Sequence, residues 1–242
     1  MTASSVEARL AETMAALEAM GSEQTRKTLR RHGAPEHMFG VKVGDMKTLL
    51  KGLKGDQELA LALYDTGNPD AQYLAGLLAN PKKLSPETLQ RWAETASWHM
   101  QAEYTVAWNA AESGHGWTLG LRWIADDREL VAAAGWSTLA CHVQLTPDDQ
   151  LDLSAVRGLL DGIPGRMAAA ENRVRYTMNG FVIGVAAGVG PLLQDALAVA
   201  TRLGKVEVDV GDTDCKIPLA TEYIAKLVNG GYAGRKRKTV KC

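Results

Sequence analysis

The 242-residue sequence predicts an all-α protein built from stacked antiparallel helix pairs. Apolar residues recur at helical spacings, cap residues followed by proline mark helix starts, and strand-type alternation is nearly absent. The composition, 46% hydrophobic and 23% charged residues, is that of a globular protein and excludes disordered and fibrous classes. We predict a single helical domain over residues 1–242, with residues 204–242 as a C-terminal extension.

The first predicted helix is Val6–Met20, where apolar residues recur every three or four positions with acidic residues between them. A cap residue followed by proline predicts further helix starts at Asn68-Pro69, Ser85-Pro86 and Thr146-Pro147. Segments rich in Ala and Leu predict helices at residues 57–64, 71–78, 89–96, 101–111, 129–140, 154–160 and 192–203. Two stretches, 38–43 and 205–210, are predicted to be extended connectors.

The spacing of these segments predicts the architecture. Short breaks separate the helices, so antiparallel pairs would repeat every 35 to 45 residues or so, roughly the period of HEAT-type repeats. No line of residues recurs clearly enough at that period to establish a solenoid. An irregular helical domain is therefore the alternative.

Cysteine usage and the termini give further expectations. Cys141, Cys215 and Cys242 are an odd number without C-x-x-C spacing, which disfavours a disulfide framework or zinc site and fits a reducing cytoplasm. The N-terminus lacks the pattern of a signal peptide, and no apolar run approaches 18 residues, so no membrane partner is expected. The acidic stretch 209–214 lacks the length and terminal Glu of a calcium loop. We predict no metal and no cofactor.

The formal net charge of -1 conceals two basic segments. Residues 26–54 hold eight basic and two acidic side chains, and residues 232–242 hold five basic and no acidic ones. Basic segments neutralise phosphates and release counterions, although a solvated helix face or a free tail gives the same pattern. The predicted DNA-binding residues from these segments are Arg26, Lys27, Arg30, Arg31, Lys42, Lys47, Arg235, Lys236, Arg237 and Lys238.

All six tryptophans lie between residues 92 and 136, which indicates either a thick core or a groove lined with rings. Core packing is expected for most of them, with Trp98 as the exception at a helix start. His99 and Glu103 are four residues apart and share a helix face beside Trp98. Such a carboxylate stabilises a developing cationic sugar, although a helical His–Glu pair is also a common surface contact. Familiar catalytic motifs such as a P-loop or H-E-x-x-H are absent from the sequence.

Three stretches carry a resemblance to a known family: Gly40-Val41-Lys42-Val43 before a helix at 46–53, the segment 59–64 before the helix at 71–78, and Ser97-Trp98 opening a helix in mid-chain. Over roughly residues 20–200 the chain resembles the HEAT-like DNA alkylation-repair proteins, typified by the AlkD-type alkylpurine DNA glycosylases. The resemblance implies a C-shaped stack of HEAT-like repeats whose basic concave face cradles double-stranded DNA. It also implies removal of cationic alkylated purines by an aspartate flanked by tryptophans near the deoxyribose.

The chain departs from that family at several positions. Glu103 stands at the catalytic aspartate, His99 at a tryptophan and Met100 at a further aspartate. No basic residue occupies 132–134, where the family has a phosphate-binding arginine, and Phe181 stands near the second tryptophan of the active groove. Errors of about 1 Å in positioning cost on the order of a hundredfold in rate, so glycosylase activity is expected to be altered or lost.

The leading hypothesis is a DNA-binding HEAT-like protein that recognises alkylated or structured double-stranded DNA. Any remaining hydrolysis of the N-glycosidic bond is then assigned to Glu103, with His99 beside it, and Trp98 and Phe181 contact the lesion nucleotide. One alternative is a working alkylpurine glycosylase with Glu in place of Asp. Another is a non-catalytic scaffold that binds a protein or peptide on its concave face, which the net charge of -9 over residues 55–231 favours. The sequence does not predict the oligomeric state.

Overall fold

The computed structural model describes residues 5–241, which form helices and connecting segments without any β-strand. The all-α prediction is therefore confirmed. Within these residues no helix combines the length and apolarity needed to cross a bilayer. The helices are α1 Val6–Met20, α2 Glu23–Arg31, α3 Val43–Leu53, α4 Gln57–Asp65, α5 Pro69–Leu78, α6 Pro86–Thr95, a π-helical turn Gln101–Val106, α7 Ala107–Glu112, α8 Gly116–Trp123, α9 Glu129–Leu145, α10 Leu153–Arg166, α11 Asn172–Gly188, α12 Leu193–Leu203 and α13 Ala220–Asn229.

Local sequence explains where many helices begin. Helix α1 has the predicted bounds, and both predicted caps of α5 and α6 form. The Asn68 side chain accepts a hydrogen bond from the Asp70 backbone N–H at 3.0 Å, and Ser85 Oγ accepts one from the Thr88 N–H at 3.2 Å. These bonds satisfy backbone donors that the first helical turn leaves unpaired.

The prediction that Thr146-Pro147 opens an α-helix is wrong. A single 3₁₀ turn, Asp148–Gln150, follows these residues, and α10 begins only at Leu153. Asp152 provides the cap instead, because its carboxylate accepts a hydrogen bond from the Ala155 N–H at 2.9 Å. The two predicted connectors are confirmed as non-helical, except that Val43 already belongs to α3.

Helices α5, α7, α9 and α11 form a consecutive row, which we call the inner row. Helix α5 packs on the π-helical turn before α7, α7 packs on α9, and α9 packs extensively on α11. Glycines permit close approach: a Cβ on Gly188 would lie 2.7 Å from Gln144 Cα, and one on Gly135 would lie 2.7 Å from the Ile124 nitrogen. The contact of α9 with α11, and that of α9 with the end of α8, are therefore close backbone packing that leaves no room for a methyl group at these positions.

The tryptophans pack mainly as core, as expected. Trp92, Trp123 and Trp136 are fully buried, and Trp108 is nearly so. Trp98, predicted to be the exception, is also buried, but it packs in a small separate cluster with Ala34 and Met38 instead of the two large hydrophobic clusters. Burial of these rings supplies a large part of the apolar area removed from water.

The basic C-terminal tail runs along the C-terminal ends of the inner row. Val240 is buried in the N-terminal hydrophobic cluster and fixes the end of the tail. Cationic side chains near helix C-termini also interact favourably with the helix dipoles. The bonds that the tail makes to α11, α9, α7 and the residue after α5 are Gly234 N–H to Ala186 O, Arg235 N–H to Ala187 O, Arg237 N–H to Gln144 O, Val240 N–H to Glu112 Oε1 and Lys241 Nζ to Ala79 O.

Candidate nucleic-acid interface

Glu103 lies on the π-helical turn that precedes α7, at the N-terminal end of the inner row. The turn is unusual because its hydrogen bonds span five residues, and such turns often occur at functional sites. The Glu103 side chain is only 2% exposed. His99 lies on the same face, as predicted, with its Nδ1 atom 4.0 Å from Glu103 Oε2.

Arg173, at the start of α11, clamps both carboxylate oxygens of Glu103. Its Nε atom donates to Oε1 at 2.7 Å and its NH2 group donates to Oε2 at 2.6 Å. The guanidinium also stacks 4.2 Å from the ring centroid of Tyr176, and the backbone N–H of Arg173 donates to Glu129 Oε1 at 2.6 Å. The starts of the π-helical turn, α9 and α11 are thus joined by charge-assisted hydrogen bonds.

The surroundings of Glu103 act on its pKa in opposite directions. Burial raises the pKa of Glu103 from its ordinary 4.5 to about 7, because the charged form loses water, while the Arg173 guanidinium opposes this rise. Burial acts to lower the pKa of Arg173, but the hydrogen bonds and the charge of Glu103 outweigh it and raise that pKa, so the guanidinium stays charged. Burial therefore favours the neutral form of Glu103, whereas the two hydrogen bonds from Arg173 favour the carboxylate.

Trp98 and His99 share one acceptor. The backbone carbonyl of His32 accepts hydrogen bonds from Trp98 Nε1 at 2.9 Å and from His99 Nε2 at 3.1 Å. Since Nε2 must carry the proton to donate, Nδ1 of His99 is the unprotonated nitrogen that faces Glu103. Burial, with Arg173 nearby, lowers the pKa of His99 to about 4, so the imidazole is neutral.

A cleft with a volume of about 580 Å³ opens above these residues, lined by Trp98, Tyr104, Arg173 and Tyr176. The segment 209–217 of the predicted extension forms another wall of the cleft. Asn172 fixes this segment through two hydrogen bonds with the Asp209 backbone, at 2.7 and 2.8 Å. No group of acidic, histidine or cysteine side chains within residues 5–241 is arranged to hold a metal ion.

Two further hollows extend the cleft along the inner row. A middle hollow of about 180 Å³ shares Tyr104 and Tyr176 with the cleft, and it shares Gly180 with a larger hollow of about 570 Å³. The larger one, which we call the tail hollow, is lined in part by Arg235 and Arg237. The three hollows follow one another along α11 and share lining residues, and together they are called here the inner groove, from Glu103 to the basic tail.

The predicted phosphate-binding residues near the N-terminus occupy different environments. Arg26 pairs with Glu23 at 2.8 Å and Arg30 pairs with Glu36 at 2.7 Å, so part of their charge is already neutralised. Arg31 lines a hollow together with His32 and residues 212–215, beside the cleft. The exposed members of the predicted set in this region are Lys27, Arg31, Lys42 and Lys47. Of these, Lys42 lines an apolar cavity of about 250 Å³ that Trp98 separates from the cleft.

In the tail, Lys236 differs from its neighbours. Its ammonium group donates to the Val143 carbonyl at 2.8 Å and pairs with Asp148 at 2.7 Å. Arg235, Arg237 and Lys238 are exposed. Lys236 therefore anchors the tail, while its neighbours present their charges to solvent.

Phe181 requires a correction. The expectation that it contacts a lesion nucleotide does not fit its position, because the side chain is fully buried and packs edge to face on Trp136, with ring centroids 5.3 Å apart. The aromatic rings that do line the groove near Glu103 are Tyr104 and Tyr176. Sequence reasoning also missed Arg173, which lies 70 residues from Glu103 and carries no motif of its own.

Comparisons with known proteins agree with this architecture. Residues 13–202 match the family described as DNA alkylation repair enzyme. An uncharacterized protein of Listeria innocua serovar 6a and one of Listeria monocytogenes serovar 1/2a are each 31% identical over 219 residues, covering 88% of this chain and 94% of the relative. A solved structure, described as "a new family of proteins related to the HEAT-like repeat DNA glycosylases with affinity for branched DNA structures", is 36% identical with a TM-score of 0.86. That match covers 96% of this chain and 99% of the other and confirms the HEAT-like fold.

Proposed function

Because the chain belongs to the DNA alkylation repair enzyme family, we propose that it is a DNA-binding HEAT-like protein that holds structured DNA along its inner groove. We further propose that hydrolysis of the alkylpurine N-glycosidic bond is altered or lost. The observation that supports altered or lost hydrolysis is the pair of hydrogen bonds by which Arg173 holds both carboxylate oxygens of Glu103.

The clamp removes the features that such hydrolysis needs from a carboxylate. A developing sugar cation is stabilised by an anionic oxygen that faces it across a short distance. Both Glu103 oxygens instead accept hydrogen bonds from Arg173, the side chain is 2% exposed, and the adjacent positive charge repels a second cation. Glu103 therefore acts as a structural partner of Arg173, which links the π-helical turn to α11.

The proposal of DNA binding is supported by the side chains that line the groove and by similarity to a known structure. Tyr104 and Tyr176 line one end of the path, and the exposed Arg235 and Arg237 line the other. Aromatic faces stack on bases and guanidinium groups bind phosphates. The relative of 36% identity is described as having affinity for branched DNA, which favours a branched substrate here as well.

Binding is tested with a four-way junction and a linear duplex of the same sequence, titrated between 50 and 200 mM NaCl. We expect the junction to bind more tightly, and its association constant to fall steeply as salt rises, because phosphate contacts release counterions. The variant Arg31→Ala, beside the cleft, should lower the slope of log K against log[NaCl] by about one. The control Arg202→Ala, an exposed arginine of α12 that lines neither the inner groove nor the hollow beside the cleft, should leave the slope unchanged. Salt-independent binding or no binding contradicts the proposal and favours a protein-binding scaffold.

Chemistry is tested by release of free 7-methylguanine and 3-methyladenine from alkylated duplex DNA. We expect no release above the uncatalysed background. The Glu103→Gln variant serves as the control, since a working glycosylase with Glu in place of Asp would lose release on that substitution. Release that depends on Glu103 would establish the alternative of an active enzyme.

A further inference from the structure

The tail hollow exposes aromatic rings that a folded protein normally covers. Tyr223 in α13 is 46% exposed and Tyr232 after α13 is 62% exposed, and both line this hollow. Each ring offers a large apolar face with a polar hydroxyl tip. Among residues 5–241, exposed large hydrophobic side chains are few, which makes a pair in one hollow informative.

The hollow is also positively charged. Arg235 and Arg237 line it, and the Arg235 guanidinium lies 5.9 Å from the ring centroid of Tyr232. The nearby carboxylate of Asp148 is already paired with Lys236 at 2.7 Å, so it does not cancel the two arginines. The hollow thus combines exposed rings with free positive charge, which is the combination that binds single-stranded nucleic acid.

The backbone around these side chains is already fixed. The N–H groups of Arg235 and Arg237 donate to Ala187 O at 2.9 Å and Gln144 O at 2.8 Å, which attaches the tail to α11 and α9. Binding therefore requires little further ordering of the tail, and the loss of conformational entropy on binding is small.

We propose that the tail hollow binds single-stranded DNA, with unpaired bases stacked on Tyr223 and Tyr232 and phosphates on Arg235 and Arg237. Paired bases within a duplex already stack on both faces, so the rings select unpaired ones. The inference rests on the proposed function, because Gly180 joins the tail hollow to the rest of the inner groove, where the branched duplex binds. An unpaired strand leaving the branch would then run along α11 into the hollow.

The geometry gives the length of that strand. From Tyr176 to Ala187, α11 rises by about 16 Å at about 1.5 Å per residue. At about 3.4 Å per stacked nucleotide, this distance corresponds to roughly five nucleotides. Affinity for a forked duplex should therefore increase with the length of a single-stranded flap and level off near that length.

The test measures fluorescence anisotropy with two probes: a forked duplex with oligo-dT flaps of increasing length, and free single-stranded oligo-dT. We expect the double variant Tyr223→Ala/Tyr232→Ala to weaken both the flap effect and oligo-dT binding by at least about thirtyfold, since two base–ring stacks are lost. The matched control Val228→Ala removes an exposed apolar side chain of α13 outside the hollow and should bind as the wild type does. Because these side chains are exposed, the substitutions should leave folding intact, which circular dichroism checks.

A flap of abasic nucleotides separates stacking from charge, because it keeps the phosphates and lacks the bases. Equal affinity for abasic and oligo-dT flaps would overturn the inference, and so would displacement of oligo-dT by an oligo-glutamate peptide at equal charge. If the blunt junction binds but the flap adds nothing, the inference fails while the proposed function stands. If no branched duplex binds but oligo-dT binds through the two tyrosines, the proposed function fails and this assignment survives.

Discussion

Replacing Arg173 with methionine tests the clamp most sharply, since methionine keeps the length of the side chain but removes its charge. The substitution leaves Glu103, 2% exposed, without the guanidinium that holds both oxygens. Removing one partner of a buried ion pair typically costs about 3 to 5 kcal/mol. We therefore expect the free energy of unfolding at pH 8 to fall by about 3 kcal/mol or more.

The loss should depend on pH in a defined direction. Burial raises the pKa of Glu103 to about 7, so its contribution to stability is full at acid pH and disappears as pH rises through 7. Without Arg173 the pKa rises further, and the variant continues to lose stability above pH 7, where the wild type no longer does. The gap between the two proteins should widen by up to about 1.4 kcal/mol for each pH unit above 7.

Urea denaturation followed by circular dichroism at pH 6, 7, 8 and 9 measures this gap. The double variant Arg173→Met/Glu103→Gln should show no such widening of the gap above pH 7, because the side chain at position 103 no longer titrates. Arg175→Met is the matched control: Arg175 lies two residues further along α11, and within residues 5–241 it forms no ion pair with an acidic side chain. A loss below about 1 kcal/mol, or a gap that stays constant from pH 6 to 9, would refute the clamp.

Three further predictions concern other parts of the fold. Burial lowers the pKa of His99 to about 4, so its contribution to stability is lost as pH falls below 6.5. Between pH 7 and 5, the free energy of unfolding of the wild type should fall by about 2 kcal/mol relative to that of His99→Phe, measured by parallel urea titrations. Val240→Ala, which removes buried methyl groups at the end of the tail, should cost about 2 kcal/mol and expose the tail to limited proteolysis. Gly188→Ala should lower the free energy of unfolding, measured by urea denaturation, by about 1 to 3 kcal/mol, since its Cβ would lie 2.7 Å from Gln144 Cα. Gly180→Ala, with open space around it, should leave stability unchanged or raise it.

Local sequence patterns predicted most helices because their determinants are local. Helix α1 has the predicted bounds because its apolar spacing is regular and Ser5 caps it, accepting a hydrogen bond from the Ala8 N–H at 3.3 Å. Proline after Asn68 and Ser85 also marks helix starts locally, because its fixed φ suits the first position of a helix. Spacing also predicts that His99 and Glu103 share a helix face, as the structure shows, but the catalytic position of Glu103 is implied only by the family resemblance.

What the sequence did not predict depends on contacts between distant segments. Helix α11 contains three glycines and several β-branched residues, which lower helix propensity, yet Gly184 and Gly188 allow the close packing on α9 that stabilises it. The position of Phe181 in the core and the path of the basic tail likewise follow from tertiary packing. Charge counting alone did not distinguish Lys236, which is paired, from exposed Arg235.

Junction binding and base release, measured in the same samples, together test whether the protein binds branched DNA without hydrolysing its N-glycosidic bonds. Wild-type protein is titrated onto a four-way junction carrying 7-methylguanine at the branch, in 50 and 200 mM NaCl, and free base is quantified in each bound sample. We expect tight binding that weakens at the higher salt concentration, with no release of 7-methylguanine. Release that Glu103→Gln abolishes, or an absence of binding at 50 mM NaCl, would contradict it.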